Sequence, residues 1–373
     1  MSHTPIAQPE GKAFHGLELL RFLCALAIIV WHYQHFFLVD GAAIPGFDRS
    51  LQPLYGLFWL PYNWGNFAVE VFWGISGFIF FWKYADAIHD GRVGGGKFFS
   101  LRFSRLYPLH IATLALVAGL QWMYAQGHGG SFIYDYNDLR HLLLHLAFAS
   151  DWGFHKGLSF NGPVWSVSLE VLAYAAFYVI ARRWHFTGRS MAVIILTLVL
   201  AKILLPWIKD PVFCLLYFFV GGGAFLIIRQ SQRHRHLLFA VTWVTTAMLI
   251  FWNWKTDGKV HTVLWVSITL FSLAAFVLLG ERVTARKAKS AFSFLGGLTY
   301  SSYMIHFPLQ LAAVTIGDRV GVGRDVYYLP LVFTGFLIAT FALAAASYVW
   351  FERPMQQWLR RRMSGRRAQP GAP

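Results

Sequence analysis

Ten runs of predominantly apolar residues recur along this chain of 373 residues, at about 17–38, 67–84, 106–124, 164–181, 191–207, 212–228, 237–254, 262–279, 292–316 and 327–350. A hydrocarbon core about 30 Å thick needs about 20 such residues in a helix, and inside it every backbone N–H and C=O must be satisfied internally. The chain is therefore expected to be all-α, a polytopic membrane protein of about ten transmembrane helices. Composition agrees. Hydrophobic residues make up 57% and charged residues only 13%, about half the charged share of an ordinary soluble domain.

The net charge of +15 would suggest a nucleic-acid partner in a soluble chain. Here the basic residues fall between the apolar runs, as at Lys83, Arg92, Lys97, Arg182, Arg189 and Arg229. Placing both termini in the cytoplasm puts most of them on the inner side, which sets the orientation and leaves membrane lipid, not nucleic acid, as the partner. Cys24 and Cys214 lie inside apolar runs, so neither a disulfide framework nor a metal site follows. Residues 1–16 form a short cytoplasmic lead without a small-residue cleavage site, residues 17–354 the membrane domain, and 355–373 a basic, disordered cytoplasmic tail that anchors to anionic lipid. The stretch 139–150, "LRHLLLHLAFAS", is too short to span and reads as an interfacial helix.

Within the first run, Arg21 and His32 bracket an apolar stretch. Ionisable groups at membrane depth cost about 2.5–3.5 kcal/mol or more, and mark functional sites by default. Eleven helical positions return His32 to within about 20° of Arg21, about 16 Å further along the axis. The two share a face and outline a path.

Glu70 opens the second run, either as a carboxylate favoured by the helix N-terminus or as a substrate contact. In the basic segment before the third run, Arg102 and Arg105 project from one face if the segment is helical. They serve either as positive-inside flanks or as a bidentate pair for a phosphate-bearing ligand. Glu170 is the one carboxylate well inside an apolar run, with Ser166 a turn earlier. It is read as functional or as the partner of a buried arginine, Arg21 being the obvious one. In the ninth run Pro308 frees the carbonyl of Met304 and invites a kink beside His306, itself either a packed residue or a site residue. Glu352, Arg353 and Pro354 are expected to mark the inner interface and close the last helix.

In this order the landmarks resemble acyltransferase family 3, the integral membrane O-acyltransferases that modify envelope polysaccharides and other glycans or glycosylated small molecules. The resemblance covers nearly the whole chain. It rests on the Arg21-to-His32 spacing, on "VEVFWGISGF" (Glu70, Ser76, Gly77, Phe78), on Arg102, Arg105, Tyr107 and Pro108, on "VWSVSLE" (Trp165, Ser166, Glu170), and on "YSSYMIHFPL" and "FERP". The chain departs from the pattern in having Glu18 where an Asp is common, and no hydrolase-like domain is seen after the tenth helix. It would thus act on its acceptor directly or through a separate extracytoplasmic partner.

The resemblance implies transfer of an acyl group, acetyl, from cytoplasmic acetyl-CoA or another acyl-CoA to a hydroxyl of a carbohydrate acceptor, at a bacterial inner membrane and without a metal. Arg21, Arg102 and Arg105 would hold the donor's phosphates. His32, neutral in a low-dielectric setting, would be the general base, with Glu170 orienting it or binding acceptor hydroxyls. Glu70, Ser76, Trp165, Ser166 and His306 would contact the substrate. Two other readings fit the membrane-embedded Arg, His and Glu: a proton-coupled transporter, and a haem carrier ligated by His32, His110 or His306.

Overall fold

A computed structural model describes residues 14–39, 41–231, 234–256 and 262–363. The lead at 1–13 and the tail from 364 onward lie outside the described residues, including most of the expected N-terminal segment and part of the expected tail. All ten apolar runs are helical. The helices are α1 (His15–His32), α2 (Tyr55–Trp64), α3 (Ala68–Phe80), α4 (Asp86–His89), α5 (Gly95–His128), α6 (Leu139–Leu146), α7 (Val164–Arg183), α8 (Gly188–Leu204), α9 (Lys209–Gln230), α10 (Arg235–Lys255), α11 (Thr262–Arg282), α12 (Arg286–Arg319), α13 (Pro330–Ser347) and α14 (Arg353–Met363). A two-residue ribbon pairs Leu38–Val39 with Ala42–Ala43. Among the described residues, seven helical stretches are long and apolar enough to cross a membrane unaided. The chain is an all-α polytopic membrane protein.

Several boundaries differ from expectation for identifiable reasons. The segment before the second run, rich in Gly and Pro, contains α2, with Pro61 inside it. The basic segment carrying Arg102 and Arg105 is not a loop. It is the first part of α5, whose 34 residues extend about 51 Å at 1.5 Å per residue, well beyond the hydrocarbon core. Pro354 does not close the last helix either. The widened π-helical turn Tyr348–Glu352 precedes it, so Pro354 falls in the first turn of α14, where a missing N–H disrupts nothing. Glu352 is buried, accepting a hydrogen bond from Ser301 Oγ at 2.6 Å. α14 takes up residues 355–363 of the expected tail.

α1 lies at the centre, packed on α3, α11 and α12, while α5 packs on α12 and α14, and α9 on α3, α7 and α8. The α3–α9 contact depends on glycine. A Cβ on Gly77 would strike the Phe218 carbonyl, and one on Gly221 the Gly74 carbonyl. Backbones meet there directly, as small residues permit between membrane helices. α12 stays continuous through Pro308. The Met304 carbonyl, which Pro308 leaves without an intrahelical donor, accepts instead from Asn161 Nδ2 at 3.1 Å. A residue just ahead of α7 thereby ties α7 to the middle of α12.

Candidate active site

Helices α1, α3, α5, α7 and α12 line a partly open cavity. Three cations line it: Arg21 from α1, and Arg102 and Arg105 from α5. Arg21 bonds Glu18 Oε2 at 3.0 Å, one turn away on the same helix. Arg102 donates to the Tyr84 hydroxyl at 2.8 Å and stacks over the rings of Phe80 and Tyr84, while its Nε is buried without a partner. Arg105 makes no side-chain hydrogen bond among the described residues. Its electrostatic partners are Glu352 first, then Tyr174, Glu18 and Glu170. With free donor capacity on two of three guanidinium groups, the cavity suits an anion with several oxygens.

Glu170 and Ser76 meet in its wall. Glu170 Oε1 accepts from Ser76 Oγ and from Tyr174 OH, the latter at 2.6 Å. Glu170 and Tyr174 are one turn apart on α7, so a single helix face supplies the carboxylate and one of its donors. Ser166 donates to Tyr303 OH at 2.7 Å, and Tyr303 donates to the Pro163 carbonyl at 2.7 Å. Trp165 packs edge-on against Trp73, whose Nε1 donates to the Ser166 carbonyl. Glu70 is set apart from these contacts, with Oε2 buried and unpartnered beside the cavity residue Val69.

The cavity reaches Ile28 on α1 and Tyr303 on α12. About one turn beyond each lies a buried histidine, His32 and His306, and these two bond each other: His306 Nε2 to His32 Nδ1 at 3.0 Å, rings stacked at 4.9 Å. The chain of bonds fixes where the protons sit. His306 Nδ1 lies 2.7 Å from the Tyr303 carbonyl, which can only accept, so Nδ1 carries the hydrogen. In a neutral His306 the other nitrogen, Nε2, then accepts, and His32 must donate from Nδ1. A neutral His32 is left with its lone pair on Nε2. Gln310 holds the same helix end, donating to the His32 carbonyl at 2.8 Å and accepting from His35 Nδ1 at 3.2 Å.

A profile of the acyltransferase domain of the acyltransferase 3 family matches residues 14–349. The chain belongs to the acyltransferase 3 family. It is 28% identical over 190 residues to acyltransferase MdmB of Streptomyces mycarofaciens, a match covering 50% of this chain and 42% of that protein. It is 29% identical over 113 residues to protein 2 in the picA locus of Rhizobium radiobacter, covering 30% of this chain and 48% of that one. The matches therefore span less than half the length of either curated relative. No solved structure matches significantly. The family match covers most of the chain, and with the apolar helices it identifies an integral membrane protein.

In this member of the family the structure gathers Arg21, Arg102, Arg105, Ser76, Ser166 and Glu170 around one cavity, and pairs His32 with His306 just past its end. Two expected pairings are absent among the described residues. Arg21 is neutralised by Glu18, a shorter reach at three positions along the same helix, and not by Glu170. Glu170 does not orient His32, because its bonded oxygen faces Ser76 and Tyr174, and His306 occupies the orienting position. His110 bonds the His145 carbonyl and stacks on Phe148. Sequence reading passed over His35, Gln310 and Tyr303. Their signal was helical spacing: His35 follows His32 by three positions, and Gln310 follows His306 by four.

Proposed function

We propose that this acyltransferase moves an acyl group, acetyl, from cytoplasmic acetyl-CoA or a related acyl-CoA to a hydroxyl of a carbohydrate acceptor on the opposite side of the membrane, with His32 as general base. The observation that carries the reading is the bonded run from the Tyr303 carbonyl through His306 to His32, which leaves Nε2 of His32 as the free base. Support for the donor comes from the cavity's three arginines and from the unpartnered Nε of Arg102, which fit phosphate oxygens. Arg21, Arg102 and Arg105 take the phosphates, and the thioester extends toward Ile28 and His32. Both named relatives are bacterial, consistent with an inner-membrane enzyme working on the cell envelope.

In the reaction the acceptor hydroxyl gives its proton to His32 Nε2 as its oxygen forms a bond to the thioester carbonyl carbon. The positive charge on the imidazolium is stabilised through Nδ1–H by His306. The tetrahedral intermediate then collapses, the carbon–sulfur bond breaks, and the thiolate takes the proton from Nε2. The products are an ester and free CoA. Ser76, Trp165, Ser166 and Glu170 flank the reacting groups, and Glu70, whose buried oxygen has no partner among the described residues, accepts from a hydroxyl of the acceptor.

The test is transfer of label by purified protein from radiolabelled acetyl-CoA to envelope glycan. Alkali-labile label on the glycan is the expected result. Absence of label on any glycan, with acetyl-CoA unbound, would overturn the reading.

A further inference from the structure

The cation cluster at the cavity has a fourth member that does not line it. α14 lies along α5 and brings Arg360 Nε to 3.4 Å from the hydroxyl of Ser104, which sits between Arg102 and Arg105 in the sequence of α5. That hydroxyl donates to the Leu101 carbonyl, leaving its oxygen to accept from Arg360. The terminal nitrogens of Arg360 have no hydrogen bond and no ion pair among the described residues. The charged and titratable groups that face Arg360 are Arg102, Arg105 and the Tyr84 hydroxyl. Three guanidinium groups thus converge where, among the described residues, no carboxylate is bonded to any of them. Arg105 alone has a carboxylate, Glu352, as its leading electrostatic partner. Mutual repulsion of this kind is relieved by an anion carrying more than one charge.

We propose that Arg360 is a specificity-determining residue of the donor site, binding the 3′-phosphate on the adenosine ribose of CoA. This rests on the acyl-CoA reading above. The 3′-phosphate lies at the end of CoA farthest from the thioester. If the thioester points toward His32, the cavity arginines meet the pyrophosphate and Arg360, outside the lining, meets the phosphate beyond it. The placement of α14 follows from the π-helical turn and from the buried bond of Glu352 to Ser301, which together fix where the last helix starts.

Binding of acetyl-CoA and of its 3′-dephospho form would be compared for wild type, Arg360→Gln and Arg362→Gln, in nanodiscs of phosphatidylcholine alone and in nanodiscs of phosphatidylcholine with phosphatidylglycerol. Arg362, stacked over Trp358 at 4.8 Å, is the control on the same helix. Arg360→Gln is expected to weaken acetyl-CoA about tenfold or more, as loss of a charge-assisted hydrogen bond does, and to leave the dephospho form unchanged. Arg362→Gln should match wild type on both. Should Arg360→Gln not fold, Arg360→Lys, which keeps the charge but loses the fork, is expected to show a smaller, equally selective loss. Unchanged acetyl-CoA affinity, or an equal loss on both ligands, would overturn the proposal. So would a defect confined to nanodiscs containing phosphatidylglycerol, which would assign Arg360 to a lipid headgroup. If wild type bound neither ligand, the donor reading itself would fall. Wild-type binding with an unaffected Arg360→Gln variant would remove the Arg360 assignment alone.

Discussion

Replacing His306 by phenylalanine keeps an aromatic ring in the stack with His32 but removes the nitrogen that accepts from His32 Nδ1 at 3.0 Å. That bond is buried. Losing it costs about 1 kcal/mol of net interaction, and leaving the Nδ1–H without a partner costs about 1–3 kcal/mol. His32 then no longer favours the form with its lone pair on Nε2. A bias of about 1.4–2.8 kcal/mol corresponds to about 10- to 100-fold in the population of the competent form, so turnover should fall by about that factor. The Michaelis constant for the donor should stay within about twofold, since His306 is not among the residues lining the cavity. His306→Gln, whose amide oxygen can accept from Nδ1–H, should recover part of the turnover. The assay is steady-state acyl transfer at saturating acceptor, with donor concentration varied. Wild-type turnover in His306→Phe, or a loss confined to the Michaelis constant, would refute the tautomer argument.

Arg105→Gln should weaken acyl-CoA binding by about 10- to 100-fold, the worth of charge-assisted bonds to phosphate, measured by calorimetry, with acceptor binding unchanged. Gly221→Val should destabilise the fold by about 1–3 kcal/mol or block it, because the side chain would press on the Gly74 carbonyl across the α3–α9 contact, and thermal unfolding in detergent reports this. Outside the membrane helices, burial holds the carboxyl of Asp151 up at about 7, with Asp210 raising it further and Lys209 opposing. A carboxyl whose folded value lies above its unfolded one, about 3.9, makes the folded state bind more protons between the two. Stability should therefore fall as pH rises from about 4 to about 7, and Asp151→Asn should flatten that slope in melting curves taken across the range.

The helices were legible because lipid leaves a chain no alternative, and each apolar run announces itself by length alone. The limits of those helices were less so. α5 starts at Gly95, in polar sequence that no hydropathy rule extends into, and α2 hides in a segment whose Gly and Pro content reads as loop. Contacts within one helix were present in the spacing: Glu18 with Arg21, Glu170 with Tyr174, His32 with His35. Contacts between helices were not. Nothing local states that α12 lies against α1, so the pairing of His32 with His306, and of Ser301 with Glu352, depends on packing that the sequence does not print. The freed carbonyl of Met304 followed from Pro308, but its partner Asn161, distant in the chain, did not.

The most direct test of the account is acyl transfer by purified His32→Ala measured alongside its acyl-CoA affinity. Donor binding should persist, since the cavity's arginines are untouched, while transfer should drop by about 10²- to 10⁴-fold, the usual worth of a general base. Transfer at the wild-type rate by a variant that still binds acyl-CoA would contradict the role given to His32.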